Sequence, residues 1–345
     1  MLIRILSAVA LACLAGAFMS AASVQAQAPA AAAASGPPVE AREVRAWLMR
    51  VHDAASHHNF QGTFVVSAGG SVSSSRIVHF CEGGNQFERI ESLDGQMRHV
   101  FRHNDVVHTL WPQSRVALVE QRDLLSSFPA LLQGGNDRIV DFYEVRSQGA
   151  DRVAGHEANV LVLWPKDGRR YGYRLWADKH SGLLLRAEVL GERSEVLEAS
   201  AFSEVTIGIK PQPESVLQPM KRLDGYRVLR PTLTPTRLET EGWVLKQGVP
   251  GFEPVSCVKR PMVGPDDADR DEPAQVIQSI YSDGLTYVSV FIEPFSPERH
   301  TRAMQTGVGA TQTLMRRQGN WWVTVVGDVP AATLRQFANA LERKK

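Results

Sequence analysis

The chain has 345 residues, 43% of them hydrophobic and 22% charged, enough apolar material for one large core or two ordinary ones and a length that points to about two domains. Lysine and arginine number 38 against 37 acidic residues. No net field is available to hold a polyanion, which excludes nucleic acid as a partner class.

Arg4, an apolar stretch over 5–19 and small residues up to Val24-Gln25-Ala26 have the three-part layout of a Sec-type secretory signal peptide. Cleavage after Ala26 or after Ala28 fits equally, so 1–26 is read as the signal and the Ala/Pro-rich 27–38 as a flexible leader. Cys13 has Ala10 three positions before it, not the large aliphatic residue that lipoprotein processing favours, and reads as an ordinary small residue of the signal. Beyond it only Cys81 and Cys257 remain. Disulfides therefore do not staple the fold, and one bridge or two buried free thiols are both open. No later apolar run approaches the ~20 residues needed to span a bilayer.

Over 39–58, Val44, Trp47, Leu48, Val51 and Ala55 recur at helical spacing with charged residues between them, an amphipathic helix. From Asn59 the period changes. Runs at 63–66, 76–80, 86–91, 96–101, 106–111 and 116–120 are rich in β-branched and aromatic residues. Gly69-Gly70, Gly83-Gly84-Asn85, Asp94-Gly95 and His103-Asn104-Asp105 supply the tight reversals of an antiparallel meander. After a helical interlude at 121–132, strands resume at 142–146, 158–164, 170–176, 183–190 and 201–207, so ten or so strands make one large sheet. In Arg170-Tyr171-Gly172-Tyr173-Arg174-Leu175 the tyrosines and leucine face one way and the arginines the other, a strand with one wet face. So many strands rarely stay flat; a strongly curved sheet or incomplete barrel under the first helix is expected, with room for an apolar cavity.

Pro211, Pro213, Pro219, Pro231 and Pro235 mark 211–235 as a linker. Beyond it, 275–282 and 285–292 flank Asp283-Gly284, the strongest hairpin signal in the chain, and 311–317 and 321–326 flank Gln318-Gly319-Asn320. Pro330 opens a last helix with Leu334, Phe337, Ala338 and Leu341 on one side. The acidic run at 266–272 lacks calcium-loop spacing and reads as a solvated loop. The fold class is α+β: a large curved antiparallel sheet covered by helices over 39–210, then a small α+β domain over 236–345.

Catalytic residues are not assigned. No G-x-S-x-G elbow or S-x-x-K pair is present. Asp178-Lys179-His180-Ser181-Gly182 reads as a polar turn, since triad members ordinarily come from distant segments. His57-His58, His99, His103 and His108 have neither H-E-x-x-H nor C-x-x-C company, so no metal is assigned. Gly307-Val308-Gly309 lacks the third glycine of a nucleotide fingerprint, and no cofactor is implied. Tyr171, Tyr173 and Leu175 are candidates for an apolar lipid-binding face, and simple core packing predicts the same burial. Trp243 and Phe252, in a turn-rich stretch, are candidate partner anchors if exposed and local core if not.

The blocks Asn59-Phe60-Gln61-Gly62-Thr63-Phe64, Arg89-Ile90-Glu91-Ser92-Leu93-Asp94-Gly95, Tyr171-Gly172-Tyr173-Arg174-Leu175-Trp176-Ala177-Asp178 and Tyr281-Ser282-Asp283-Gly284-Leu285 occur in an order and spacing that resemble the RseB/MucB family of periplasmic sigma-E factor regulatory proteins. Ser289-Val290-Phe291-Ile292-Glu293 and Val323-Thr324-Val325-Val326-Gly327-Asp328-Val329-Pro330 extend the similarity over nearly the whole mature chain. The resemblance implies a periplasmic location and an N-terminal lipid-sensing domain like the lipoprotein carriers LolA and LolB, with a smaller partner-binding domain after the linker. It implies binding to the periplasmic domain of a transmembrane anti-sigma factor of the RseA/MucA type and shielding of that segment from site-1 proteolysis. Release would follow when lipopolysaccharide or the acyl chains of mislocalised lipoprotein are sensed. The runner-up is a periplasmic carrier of the LolA type, which hands over acylated cargo; the extra C-terminal domain favours the regulator. Cys81 and Cys257 lie outside the family pattern, and homo-oligomer formation stays open.

Overall fold

The computed structural model describes residues 36–121, 138–261 and 275–344. The expected signal peptide, the helical interlude beyond Gln121 and the acidic run at 266–272 lie outside the described residues. Helix α1 (Ala41–His57) buries Val44, Leu48, Val51, Ala54 and Ala55, one stripe at steps of three and four.

The first domain then runs β1 (Phe60–Ala68), β2 (Ser71–Glu82), β3 (Asn85–Ser92), β4 (His99–His103), β5 (Val106–Trp111) and β6 (Val116–Gln121). After α2 (Ile139–Phe142) come β7 (Tyr143–Val153), β8 (His156–Pro165), β9 (Gly172–Asp178), β10 (Leu184–Leu190) and β11 (Val196–Ile207), followed by α3 (Glu214–Lys221) and β12 (Arg227–Leu229). One 12-stranded sheet results, in the order β12-β6-β5-β4-β3-β2-β1-β11-β10-β9-β8-β7. It stays open at β12 and β7, so it is not a closed barrel. Every pairing is antiparallel except β12 with β6, and bulges at Thr63/Phe64, Ser147/Ala150 and Val189/Leu190 add local twist.

The register fixes two faces. One row on the inner face runs Phe60, His79, Glu88, Arg102, Val107 and Glu120 across β1 to β6. The other half of that face is apolar: Phe64, Tyr143, Val145, Leu163, Tyr173, Leu175 and Phe202 form a core with Val44, Leu48, Val51 and Ala54 of α1.

Most of the segment 211–235, read as a linker or an extended crossing segment, lies against the first domain. Its Val216, Leu217, Met220, Leu223, Tyr226 and Val228 pack on Val78, Phe80, Phe87, Phe101, Leu110 and Ala117, on the outer face of the sheet. Its prolines concealed an apolar stripe at helical spacing. Pro213 caps α3 and Pro219 is accommodated within it. Up to Leu229 the segment is a strap over the first domain, and Thr234–Pro235 pairs with the sheet of the second.

The second domain comprises β13 (Thr234–Pro235), β14 (Trp243–Leu245), β15 (Glu253–Pro261), β16 (Gln275–Ser282), β17 (Tyr287–Pro294), β18 (Met304–Val308), β19 (Thr311–Gln318), β20 (Trp321–Gly327), α4 (Ala331–Ala340) and β21 (Leu341–Arg343). Its 7-stranded sheet has the order β13-β15-β16-β17-β20-β19-β18. Leu334, Phe337 and Ala338 of α4 close the core over Val288, Val290, Ile292, Val323 and Val325. Leu341, expected in the helix, instead starts β21 and pairs with Leu245 of β14. Cys81 and Cys257 are both free thiols.

Candidate functional site

The two domains meet through the β16–β17 hairpin, whose Ser282-Asp283-Gly284-Leu285-Thr286 tip is buried. A hairpin tip normally faces water, so burial of this one demands partners for its polar groups. Asp283 supplies them in two directions. Its Oδ1 accepts the backbone N–H groups of Leu285 and Thr286, each at 2.9 Å, which holds the turn. Its Oδ2 accepts Arg170 Nε at 2.7 Å and the Tyr143 hydroxyl at 3.1 Å, which ties the turn to the first domain. Leu285 joins the core of that domain.

Arg170 and Asp283 have no exposed side-chain surface. A buried charge of this kind persists only when paired and fully hydrogen-bonded, and Arg170 meets that condition. Its NH1 donates to Asp167 at 2.6 Å and its NH2 to the Pro250 carbonyl at 2.9 Å. The guanidinium also lies 4.4 Å from the Phe142 ring centroid and 4.8 Å from that of Phe252. Alternation had assigned Arg170 to the wet face with Arg174. Because β9 starts at Gly172, Arg170 precedes the pleat and turns toward the second domain. Arg174 does take the outer face and pairs with Glu188 at 3.0 Å.

Tyr171, Tyr173 and Leu175 are all buried. Leu175 packs in the core beneath α1. Tyr173 stands edge-on to Tyr143, with centroids 6.3 Å apart, and its hydroxyl meets Thr286 of the second domain. Burial, reinforced by nearby Asp328 and Asp283, pushes Tyr173 well above the ordinary tyrosine range. Tyr171 reaches the Gln312 side chain, and burial beside Asp328 pushes it up to about 12. Burial also raises Asp328 itself to about 7, against the pull of its 2.7 Å hydrogen bond from Thr311. The face expected to hold lipid is thus covered by α1 and by the hairpin tip.

Further contacts widen the junction. Thr333 Oγ1 donates to the Arg169 carbonyl at 2.9 Å, and Arg260 donates to Glu120 on the inner face at 2.7 Å. Gly309 sits so close to Ala68 that an added Cβ would lie 2.8 Å from the alanine methyl.

Trp243 and Phe252 are core residues of the second domain rather than exposed anchors, at 0% and 6% exposure. Each is sequestered by another ring: Trp321 lies edge-on to Trp243 at 5.7 Å, and Phe337 to Phe252 at 5.5 Å. Phe252 still contributes to the junction, as the floor beneath Arg170. Trp243 lines an open cleft of about 630 Å³ together with Pro294, Gln318, Trp321 and Arg343, and its indole N–H has no partner.

Asp178 accepts the backbone N–H groups of His180 and Ser181 at 3.1 and 2.6 Å and the Ser181 hydroxyl at 2.7 Å, a turn-stabilising role that leaves Ser181 a donor to the carboxylate. Among the described residues, no three His, Cys, Asp or Glu side chains converge as a metal site, and no helix is long and apolar enough to cross a membrane. Sequence reasoning missed Arg170, Tyr143 and Asp283 as one unit. The usable signal was the Asp283-Gly284 turn followed at once by Leu285, an apolar residue at a tip that ought to be polar.

A model for the MucB/RseB N-terminal domain matches residues 43–220, and one for the MucB/RseB C-terminal domain matches 237–342. The sigma factor AlgU regulatory protein MucB of Pseudomonas aeruginosa is 31% identical over 316 residues, 88% of this chain and 92% of that protein. The sigma-E factor regulatory protein RseB of Escherichia coli is 24% identical over 86% of this chain and 90% of its own length. A crystal structure of MucB in complex with MucA(peri) matches with a TM-score of 0.64 at 26% identity, over 89% of this chain and 100% of that one. The Pseudomonas aeruginosa MucA/MucB complex gives 0.66 at 27% identity, over 88% and 99%. With both of its domains matched in order, the chain belongs to the MucB/RseB family.

Proposed function

We propose that this chain is a periplasmic negative regulator of a sigma-E-type envelope stress response. It binds the periplasmic segment of a transmembrane anti-sigma factor, shields that segment from site-1 proteolysis, and releases it on meeting lipopolysaccharide or mislocalised lipoprotein. The observation that carries this reading is the match to MucB over 88% of this chain and 92% of that protein, which has been solved together with MucA(peri). The first domain is the lipid sensor and the second the partner-binding domain; no catalytic step is assigned to either.

The domain junction supplies a physical basis for the coupling. An acyl chain can occupy the face around Tyr173 and Leu175 only if α1 or the hairpin tip moves, since both cover it. A ligand shifts such an equilibrium by its differential affinity for the two arrangements. Lipid binding thus opposes the Arg170–Asp283 contact, and the partner is held by the arrangement in which that contact is made.

The test is cleavage of the purified anti-sigma periplasmic segment by its site-1 protease, with and without equimolar amounts of this chain. Protection that lipopolysaccharide reverses is the expected result. Failure to bind or protect the cognate segment refutes the regulator and leaves the lipoprotein carrier as the reading to pursue.

A further inference from the structure

We propose that Cys81 is a reactive thiol, activated by His79 within a Cys81–His79–Glu88 relay, and that it is a site of modification by small disulfides.

The relay follows from the register of the inner face. His79 and Cys81 are two residues apart on β2 and point to the same side, and Glu88 stands directly opposite His79 on β3. His79 Nε2 lies 3.4 Å from Cys81 Sγ, and Nδ1 lies 3.4 Å from Glu88 Oε2. The imidazole cannot swing away: it is 1% exposed and stacks on Phe60 at 5.1 Å with an interplanar angle of 12°. Arg102 NH2 donates to the same Glu88 oxygen, Oε2, at 3.4 Å. A thiol, an imidazole bonded to it and a carboxylate orienting that imidazole form the arrangement that activates nucleophilic cysteines.

Charge within the cluster points the same way. Burial disfavours the imidazolium, but the contacts with Cys81 and Glu88 outweigh it and raise His79 to about 9. Glu88, against the cost of its own burial, is held down to about 2 by Arg102 and His79. At neutral pH two cations therefore share one anion. Arg102, 6% exposed, donates to Gln86 and the Asn104 carbonyl as well as to Glu88 and keeps its Nε without a partner. His79 Nε2 accordingly presents a positive edge to Cys81 Sγ, 3.4 Å away.

In the resting state the Cys81 thiol donates to the Ser56 carbonyl in the last turn of α1. The thiol gives its proton to solvent, and the His79 imidazolium, with Nε2 3.4 Å from the sulfur, holds the thiolate so formed. The thiolate attacks one sulfur of the incoming disulfide, a new S–S bond forms, the old one breaks, and the second sulfur leaves as a thiolate that takes its proton from solvent. Cys81 is oxidised and the small disulfide reduced. The adduct removes the thiol that bonds Ser56, so α1 loses a tether at its C-terminal end.

Cys257 is an internal comparator, because burial pushes its thiol up and Glu239 and Glu241 add to the effect. The reduced full-length protein is treated with oxidised glutathione at pH 7, and each mixed disulfide is quantified by peptide mass spectrometry. Cys81 is expected to react at least about tenfold faster than Cys257, and His79→Gln to slow Cys81 by about tenfold without changing Cys257. Equal rates at the two cysteines, or a Cys81 rate indifferent to His79→Gln, overturn the proposal. Should the variant not fold, the wild type decides: the ratio of Cys81 to Cys257 rates is expected to widen from pH 8 to pH 6, and a constant ratio refutes the relay.

Discussion

Asp283→Asn separates the two roles of the hairpin tip. Asparagine keeps a side-chain oxygen for the Leu285 and Thr286 N–H groups, so the turn survives. Its amide nitrogen then faces Arg170 Nε and the Tyr143 hydroxyl, donor against donor, where Oδ2 had accepted both. Arg170 remains fully buried with its charge only partly answered by Asp167 at the rim. Removing one member of a buried, hydrogen-bonded ion pair costs about 3–5 kcal/mol, whereas an exposed pair such as Arg138–Glu253, at 47% and 65% exposure, is worth about 1 kcal/mol or less. The loss falls on domain docking, not on either core, and lowers the docking equilibrium by about 10²-fold to several thousand-fold at 1.4 kcal/mol per decade. Calorimetry of Asp283→Asn is expected to resolve two transitions where the wild type shows closer coupling, with a larger scattering radius and unchanged secondary structure. A variant with the wild-type melting profile and radius refutes the junction as the element that holds the domains together. The paired change Arg170→Met with Asp283→Leu is expected to recover much of the loss, since an apolar pair of similar volume leaves no charge stranded.

Gly251→Ala attacks the same junction from the other side. An added Cβ would stand 2.0 Å from Arg170 NH2 and 2.7 Å from the Phe142 ring, at a φ of +84°, so a destabilisation of more than about 1 kcal/mol is expected in urea unfolding midpoints. The buried row on the inner face sets a pH window. His79 is raised from 6.5 to about 9, so its contribution to stability is complete below pH 6.5 and is lost as pH rises through about 9. Glu88 is lowered from 4.5 to about 2, so its contribution is present above pH 4.5 and lost as pH falls through about 2. Unfolding midpoints at pH 6, 8 and 10 are expected to decline for the wild type and to decline less for His79→Gln; parallel declines exclude His79 as the cause.

The strands were legible because their signal is local. The segments at 275–282 and 311–317 coincide with β16 and β19 to within a residue, since alternation and the flanking turns fix both boundaries. The strap over 211–235 was not legible, because its proline content argues for a tether while the stripe Val216, Leu217, Met220 and Leu223 becomes meaningful only against the outer face it covers. Tyr173 and Leu175 illustrate a different limit, since a residue under a lid and a residue in a cavity are buried alike.

Asp283 marks where local reasoning ends and function begins. The Asp-Gly pair states that the chain reverses there, but carries no statement of what the reversal touches. In this fold it touches Arg170 of the first domain. In the proposed regulator, a lipid that opens the junction must bind the open arrangement more tightly than the closed one; because Arg170 and Asp283 both regain water on opening, their pair resists far less than the loss of one partner alone would suggest. On that reading the work of opening comes from apolar acyl surface buried on the face around Tyr173, which a headgroup alone does not supply.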